Sequence, residues 1–262
     1  MGKITEALKK AAQERLSRLE KLDKQSEVKY EFIAKKIVDS KIDPRIVSYH
    51  DPKSPVAEQY KTLRTNIQSL NTKNPLKTIV ITSSIHNEGK TITSINLALS
   101  MAHDLNKKSV LLVDGDLRRA SLSKYLGLKS QVGLADLIAN GADFNDALLN
   151  IGVENLTILP AGKIPPNPAE LLGSQNLDNL MALFKKKYDY IILDSPPIIS
   201  VTDAGILGAQ ADGVIMVIKA NRTQKGVIQH AEDLLKQTQA KLLGYILTNI
   251  QFHIPAYIYR YL

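Results

Sequence analysis

A motif that can bind phosphate groups follows an apolar run near residue 80. Residues 78–82 read TIVIT, residues 83–91 read SSIHNEGKT, and an apolar helical pattern begins at Lys90. In the Gly-Lys-Thr end of a P-loop, backbone amides surround the phosphates, the lysine reaches the β- and γ-phosphates, and the hydroxyl binds Mg²⁺. Ser84 occupies the first position of the pattern, where Gly or Ala is usual. We therefore predict a Mg-nucleotide site whose loop consists of Ser84, Ile85, His86, Asn87, Glu88, Gly89, Lys90, Thr91 and Ile92.

Three aspartates stand at the ends of two further apolar runs. Residues 111–116 read LLVDGD, which places Asp114 and Asp116 two positions apart, and residues 191–197 read IILDSPP, which include Asp194. Carboxylates at this spacing share a side when the chain is extended, and they can hold Mg²⁺, its waters or an incoming hydroxyl. An apolar strand that ends in Asp is the Walker B arrangement, in which the carboxylate supports Mg²⁺. The alternative for Asp114 and Asp116 is that they cap a helix.

Alternating strands and helices must position these side chains. Near-continuous apolar runs are typical of parallel strands that are buried on both faces, and six occur, at residues 78–82, 109–114, 156–159, 190–194, 213–219 and 244–249. Helical periodicity is found at residues 56–70, 90–105, 133–140, 177–187 and 225–239. The alternation predicts an α/β fold, a doubly wound and mostly parallel sheet with helices on both faces. Such sheets bind ligands at the carboxyl ends of their strands, where the phosphate motif and the aspartates stand.

The composition fits one domain with an appendage. The 262 residues are 44% hydrophobic and 23% charged, and they include no Cys, which excludes disulfides and cysteine metal sites. The net charge is +8, and residues 1–50 contain twelve Lys and Arg against eight Asp and Glu. A basic balance can indicate an anionic partner, but a solvated surface of mixed charge explains it equally well. With no apolar signal-peptide core and no run of 18 apolar residues, we expect a cytoplasmic protein.

The first fifty residues precede the predicted domain. Apolar residues recur every three or four positions between residues 3 and 23, which predicts an amphipathic helix. They are Ile4, Leu8, Ala12, Leu16, Leu19 and Leu22. Residues 24–50 are charged and irregular, and we interpret them as a linker or loosely attached arm. The predicted organisation is thus a helix and linker at 1–50, a nucleotide-binding domain at 51–252 and a tail at 253–262.

The three motifs together resemble the bacterial tyrosine kinase family (BY-kinases), P-loop NTPases of the deviant Walker type that act in capsule and exopolysaccharide synthesis. That family has Glu before Gly-Lys-Ser/Thr, an apolar strand that runs into Asp-x-Asp-x-Arg, and a Walker B segment similar to Leu-Asp-Ser-Pro-Pro. The matching positions are residues 88–91, Asp114, Asp116, Arg118 and residues 193–197. The resemblance covers residues 51–262, with Asn87 where the family usually has Gly.

The resemblance implies that ATP, with Mg²⁺, donates its γ-phosphoryl group to tyrosine hydroxyls. Lys90 then stabilises the transferring charge, and Arg118 positions an acidic partner or a phosphate. Asp114 lies beside the tyrosine hydroxyl, and Asp116 is shared between that role and a metal-bound water. The metal ligands that the resemblance implies are Thr91, Asp114 and Asp194.

Two further matches imply an assembly that phosphorylates itself. The family's oligomerisation helix reads Glu-x-x-Arg-x-x-Arg, and this chain has Glu58, Lys61 and Arg64. Lys61 keeps the charge but lacks the planar fork of arginine, and by spacing alone the three residues form one charged helix face. The family also ends in tyrosines that neighbouring subunits phosphorylate. Here they are Tyr257, Tyr259 and Tyr261, unless these residues form the aromatic face of a terminal strand.

The resemblance implies partners as well. They are a homo-oligomeric ring, a cognate tyrosine phosphatase and a transmembrane activator of the polysaccharide co-polymerase type, which controls chain length. The protein would then lie at the inner face of the plasma membrane through its activator. The helix predicted at 3–23 docks on the activator or the membrane surface, or is simply exposed. We expect no nucleic-acid partner, because no platform of aromatic and basic residues is visible.

Two other functions stay open on the sequence. A partitioning or positioning ATPase of the ParA and MinD type shares the motifs, but its second lysine falls where this chain has Ile85. A degenerate ATP-binding regulatory subunit of the polysaccharide machinery is favoured by Lys61 and by the short tail.

Overall fold

The fold was analysed in a computed structural model, which describes residues 34–37, 41–70, 76–129 and 132–250. The helix predicted at 3–23 and the tail tyrosines Tyr257, Tyr259 and Tyr261 lie outside the described residues.

One mixed, mostly parallel sheet forms the centre of the described chain. In spatial order its strands are β1 (Lys35–Lys36), β4 (Leu149–Asn150), β5 (Leu156–Leu159), β3 (Val110–Asp114), β6 (Tyr190–Asp194), β2 (Thr78–Ser83), β7 (Gly213–Lys219) and β8 (Leu242–Thr248). Neighbouring strands are parallel except β4 and β5. Every residue of β2, β3 and β6 is buried, as expected for strands covered on both faces. The predicted α/β fold class is confirmed.

Helices connect the strands and cover the sheet. In chain order they are α1 (Val47–His50), α2 (Pro55–Ser69), α3 (Lys90–Ala102), α4 (Ser121–Leu126), α5 (Leu134–Asn140), α6 (Phe144–Ala147), α7 (Pro168–Leu172), α8 (Gln175–Lys187), α9 (Asp203–Gln210) and α10 (Lys225–Gln237). Twelve of the thirteen α3 residues are buried, because this helix lies between the sheet and the helices α1 and α2. The phosphate motif therefore begins a helix that is fixed on all sides.

The predicted elements agree with the structure to within a few residues. All six predicted strands and all five predicted helices are present in the described chain. The largest difference is the end of α3, predicted at residue 105 and observed at Ala102. The backbone amide of Lys107 donates to the carbonyl of Asp104 (2.9 Å), which turns the chain and leaves Leu105 98% exposed. The short elements β1, β4, α1, α4, α6, α7 and α9 were not predicted.

Residues 41–50 are part of the folded domain, which corrects their interpretation as a linker or loose arm. Ile46 is fully buried and Ile42 nearly so. The backbone amide of Ser48 donates to Asn96 Oδ1 in α3 (2.8 Å), and that of Asp43 donates to the Tyr125 carbonyl in α4 (2.8 Å). Two isoleucines buried against the core stabilise this segment by a few kcal/mol in spite of its charged composition.

Among the described helices, none combines the length and the apolarity that crossing a membrane requires.

Candidate functional site

The phosphate motif forms the turn between β2 and α3. Gly89 has a φ of 98°, a conformation that residues with a Cβ rarely adopt, and α3 begins at the next residue, Lys90. A Cβ at Gly89 would also lie 3.4 Å from Thr248 Cγ2. The Thr248 hydroxyl donates to the Glu88 carbonyl (2.7 Å) and so holds the loop to the end of β8. The free amides at the start of α3 face the space that a phosphate group can occupy.

Glu88 fixes the loop from inside the protein. Its Oε2 accepts a hydrogen bond from the amide of Ile85 (2.9 Å). Its Oε1 accepts from the amide of Lys219 (3.2 Å) and from the Thr223 hydroxyl. Glu88 is 1% exposed, and both oxygens of its side chain are engaged within the protein. Sequence reasoning missed Lys219 and Thr223, which follow Glu88 by more than 130 positions.

Asp114 and Asp194 end adjacent strands and are paired across β3 and β6. Asp114 is fully buried, and its two oxygens accept hydrogen bonds from the amides of Asp116 (3.2 Å) and Leu122 (3.0 Å). Burial and the neighbouring Asp194 carboxylate raise the pKa of Asp114 well above its ordinary value. Asp114 therefore shapes the loop after β3.

Two carboxylate oxygens in this site are buried without a hydrogen-bond partner in the described part of the chain. They are Asp194 Oδ2 and Asp116 Oδ2. The other oxygen of Asp194 accepts from the Ser94 hydroxyl (3.1 Å), and Asp116 Oδ2 lies 3.7 Å from Lys90 Nζ. Burial raises the pKa of Asp194 to about 6, although the Lys90 charge acts in the opposite direction.

These two oxygens fit a divalent cation. A buried polar atom normally has a partner, and a carboxylate oxygen without a donor is a suitable ligand for Mg²⁺. The Thr91 hydroxyl, a predicted ligand, belongs to a side chain that is 5% exposed in the first turn of α3. No group of three His, Asp or Glu side chains in the described ranges has metal-binding geometry by itself. Mg²⁺ is commonly bound by one or two carboxylates together with the phosphates of a nucleotide.

Arg118 forms an ion pair within the chain. Its Nε and Nη2 donate to Asp203 Oδ2 (2.8 Å) and Oδ1 (2.9 Å), and Asp203 is fully buried at the start of α9. The sequence placed Arg118 among the catalytic residues, whereas its guanidinium is engaged in an intramolecular ion pair.

The tip of the loop is basic. His86, Lys90 and Arg119 line a small recess of about 60 Å³. Burial, followed by the charges of Arg119 and Lys90, lowers the pKa of His86. His86 Nε2 lies 3.2 Å from the Ser200 hydroxyl, which belongs to the segment after β6. This concentration of positive charge suits the phosphate end of a nucleotide.

A larger cavity of about 540 Å³ extends from the loop toward β8. Gly89 and Ile92 line it on the loop side, and Tyr60, Tyr125 and Asn249 line it from α2, α4 and the end of β8. Its size and its mixed aromatic and polar lining suit a nucleoside. Sequence reasoning did not find Tyr60, Tyr125 or Asn249, because none belongs to the motif.

The residues predicted to support oligomerisation do not form a single exposed face. Lys61 Nζ pairs with Glu58 Oε1 on the surface of α2 (2.6 Å). Arg64 instead points toward α3, where its Nη1 donates to the Ser100 carbonyl (2.6 Å) and its Nε lies 3.9 Å from Asp104 Oδ2. The oligomerisation role of these residues stays a prediction.

The fold and the site define a P-loop nucleotide-binding protein. Residues 76–244 match the AAA domain family. The tyrosine-protein kinase YwqD of Bacillus subtilis is 38% identical over 208 residues, which cover 79% of this chain and 87% of that protein. The putative tyrosine-protein kinase CapB of Staphylococcus aureus is 35% identical over 223 residues, which cover 85% of this chain and 96% of that protein. Among solved structures, the chimerical protein CapA2B2 is 31% identical in sequence, with a TM-score of 0.74. The match covers 82% of this chain and 92% of that chain.

The chain belongs to the family of bacterial tyrosine-protein kinases.

Proposed function

We propose that the protein is an ATP-dependent protein-tyrosine autokinase of capsule or exopolysaccharide synthesis. The observation that carries the proposal is a pair of buried carboxylate oxygens beside the phosphate loop that accept no hydrogen bond, Asp194 Oδ2 and Asp116 Oδ2, the second of which is ion-paired with Lys90 Nζ at 3.7 Å. Burying two such atoms costs free energy unless a cation or a donor meets them. A Mg-nucleotide supplies the cation, and an incoming hydroxyl supplies the donor.

Each residue of the site has one task in this proposal. Lys90 moves its ammonium from Asp116 to the phosphates and stabilises the charge that develops on the γ-phosphoryl group. The Thr91 hydroxyl and the Asp194 carboxylate hold Mg²⁺, which neutralises phosphate charge when bound. Asp114, the third metal ligand that the resemblance implied, would act through the loop after β3, from whose backbone amides its two oxygens accept hydrogen bonds.

Asp116 is better placed than Asp114 to meet the tyrosine hydroxyl. Both oxygens of Asp114 accept backbone hydrogen bonds, whereas Asp116 has an oxygen without a donor. In the transfer, the phenolic proton passes to Asp116 as the bond from the phenolic oxygen to the γ-phosphorus forms and the bond from the γ-phosphorus to the β-phosphate oxygen breaks. A free tyrosine has a pKa near 10, so a positioned carboxylate assists the transfer without ionising the phenol beforehand.

The proposed acceptors are Tyr257, Tyr259 and Tyr261 of a neighbouring copy, in an oligomer supported by Glu58, Lys61 and Arg64. A transmembrane activator brings the protein to the inner face of the membrane, and a tyrosine phosphatase reverses the reaction. The similarity to the chimerical protein CapA2B2 and to CapB supports a membrane-bound partner and an assembly.

The test is phosphotyrosine formation in the purified protein. The chain is incubated with Mg-ATP and the cytoplasmic segment of the proposed transmembrane activator, and phosphate is located by intact mass and peptide mapping. We expect phosphate on the tail, and its loss in Lys90→Met and in the triple Tyr257/Tyr259/Tyr261→Phe variant. ATP turnover without phosphotyrosine would indicate a switch ATPase instead, and nucleotide binding without either activity would indicate a regulatory subunit.

A further inference from the structure

An uncharged groove lies between α2 and the outer edge of β8. It has a volume of about 620 Å³. None of the side chains that line it, from α2 or from residues 245–250, carries a charge. The groove adjoins the cavity that suits a nucleoside, because Tyr60 and Asn249 line both. We call it the α2–β8 groove.

Exposed apolar side chains are concentrated in the α2–β8 groove. Of the eight large apolar side chains that are exposed in the described chain, four line it, namely Val56, Tyr245, Leu247 and Ile250. Single apolar side chains are ordinary on a protein surface, whereas a contiguous group of them marks a surface of interaction. The groove therefore has the composition of a surface that another segment covers.

The groove also includes a free edge of the sheet. β8 is the last strand of the sheet and, within the described ranges, it pairs with β7 alone. The backbone groups along its other side can therefore bind an added strand. An occupant that is extended and rich in apolar side chains would match both the edge and the groove.

Residues 251–262 continue directly from this groove. The last described residue, Ile250, lines the groove, and Asn249 has a φ of 57°, a left-handed conformation that is common where a chain turns. Residues 251–262 read QFHIPAYIYRYL, in which seven residues are large and apolar or aromatic and only Arg260 has a fixed charge. This composition suits an uncharged apolar groove.

The length of this segment also fits. Eight residues lie between Thr248, where β8 ends, and Tyr257, which is enough for the chain to reverse its direction. In an extended conformation residues 257–262 span about 20 Å, against about 23 Å for the seven residues of β8. β1 lies at the opposite edge of the sheet, so the segment that leads into β1 joins the fold far from this groove.

The residues predicted to support oligomerisation lie on another side of α2. Glu58, Lys61 and Arg64 do not line the groove, whereas Leu63 does. At 3.6 residues per turn, the side chains of Leu63 and Lys61 leave the helix about 160° apart. The α2–β8 groove is therefore separate from the interface that those three residues predict.

We propose that residues 251–262 dock in the α2–β8 groove of their own chain and add an antiparallel strand to the free edge of β8. The added strand bonds to the backbone of β8, and its aromatic and aliphatic side chains cover the exposed residues of the groove. Because the segment and the groove belong to one chain, the docking is intramolecular and has a high effective concentration.

Docking holds Tyr257, Tyr259 and Tyr261 at the groove and so keeps them from a neighbouring copy. A phosphate group on a tyrosine carries a charge of about −1.5 to −2, which an uncharged groove does not compensate. Phosphorylation of the segment therefore favours its release. This consequence, unlike the docking itself, rests on the autokinase function proposed above.

The test uses tryptophan fluorescence, because the chain has no tryptophan of its own. Tyr259→Trp in the full chain places one indole in the segment, and its emission wavelength and its quenching by acrylamide report whether it is covered. Hydrogen exchange of residues 251–262, followed by mass spectrometry, is the second measurement and needs no Trp. No ATP is added, so a chain that docks its segment but forms no phosphotyrosine would separate this proposal from the autokinase.

Two matched variants change the groove and a surface outside it. Leu247→Gln acts in the groove, and Ile164→Gln is the control, since Leu247 and Ile164 are 55% and 63% exposed and only Leu247 lines the groove. Both positions are exposed, so we expect both variants to fold.

We expect the introduced tryptophan to emit at short wavelength and to be shielded from acrylamide, independently of protein concentration. Leu247→Gln should favour the free segment about tenfold, the effect of no longer covering roughly half of a leucine side chain. The amides of residues 251–262 should then exchange about tenfold faster than in wild type. Ile164→Gln should leave the quenching and the exchange unchanged.

An introduced tryptophan that is as accessible in the folded chain as in the denatured chain would overturn the proposal. Equal exchange of residues 251–262 in wild type and Leu247→Gln would overturn it as well. Shielding that is lost on dilution would assign the groove to a second copy instead. A free segment beside a protected β8 edge would assign the groove to a different occupant.

Discussion

Arg118 and Asp203 form a two-point ion pair that joins the loop after β3 to the helix that follows β6. The two hydrogen bonds measure 2.8 and 2.9 Å, and the Asp203 carboxylate has no exposure to solvent. A second link runs in parallel, from the amide of Gly115 to the carbonyl of Asp194 (2.7 Å). The two segments that carry Asp116 and Asp194 are therefore joined by two links.

Arg118→Met should destabilise the protein by about 2–4 kcal/mol. The substitution leaves the Asp203 carboxylate buried without its countercharge, and the partial exposure of Arg118 keeps the cost at the lower end of the range for buried pairs. The measurement is chemical denaturation without ligand. The double variant Arg118→Met/Asp203→Leu is the control, and it should recover most of the loss because no buried charge remains. Unchanged stability with lost activity would show instead that Arg118 serves catalysis by positioning an acidic partner or a phosphate, as the resemblance implied.

Glu88→Ala should loosen the phosphate loop and destabilise the protein by about 2–4 kcal/mol. The change leaves the amides of Ile85 and Lys219 without an acceptor in a buried place. Nucleotide affinity should fall as well, because the loop is no longer held in its binding conformation. Denaturation and nucleotide titration measure the two effects. Glu154→Ala, at an exposed position, should leave both unchanged, and a Glu88→Ala variant that behaves like it would contradict this role.

Asp194 should make stability and metal binding depend on pH around 6. Its folded-state pKa is about 6 against an ordinary value of 3.8, so the folded protein binds this proton more tightly than the unfolded chain. Stability therefore falls as the pH rises from 3.8 to about 6 and does not change further above that range. In the absence of ligand, the free energy of unfolding of Asp194→Asn should exceed that of wild type by about 3 kcal/mol at pH 8. At pH 4 the two proteins should have similar free energies of unfolding.

Protonation of the Asp194 carboxylate competes with Mg²⁺ binding. Wild-type affinity for Mg-nucleotide should rise with pH up to about 6 and then level off, because the metal binds the deprotonated Asp194 carboxylate. Isothermal titration at several pH values measures this profile. Affinity that is constant between pH 5 and 8 would contradict the proposed metal role, and equal stability of Asp194→Asn and wild type at pH 8 would contradict the raised pKa of Asp194.

The sheet could be predicted from the sequence because strands that are buried on both faces consist of continuous runs of apolar residues. The runs at 156–159, 190–194 and 213–219 match β5, β6 and β7 residue for residue. The short helices α1 and α6 span four residues each, too few to show a helical period. Ile42 and Ile46 gave no such signal either, since two apolar residues among charges do not distinguish a packed segment from a linker.

The site could be predicted only as far as its motifs reach. Parallel strands bring their carboxyl ends to one edge, so Lys90, Asp116 and Asp194 converge as expected. Asp203, the partner of Arg118, follows it by 85 positions. Lys219 and Thr223, two partners of the Glu88 side chain, follow Glu88 by 131 and 135 positions. No local pattern encodes such pairs. Which of the two neighbouring aspartates keeps a free oxygen likewise depends on the path of the loop after β3.

The most direct test of the autokinase mixes two defective chains. Lys90→Met keeps the acceptor tyrosines but lacks the lysine that stabilises the transferred group, and the triple Tyr257/Tyr259/Tyr261→Phe variant keeps the site but lacks the acceptors. Both are incubated together with Mg-ATP and the activator segment, and intact mass distinguishes the two chains. Transfer between copies predicts phosphotyrosine on the Lys90→Met chain in the mixture and none when either variant is incubated alone. A mixture without phosphotyrosine, under conditions in which the wild-type chain is phosphorylated, would contradict transfer between neighbouring copies.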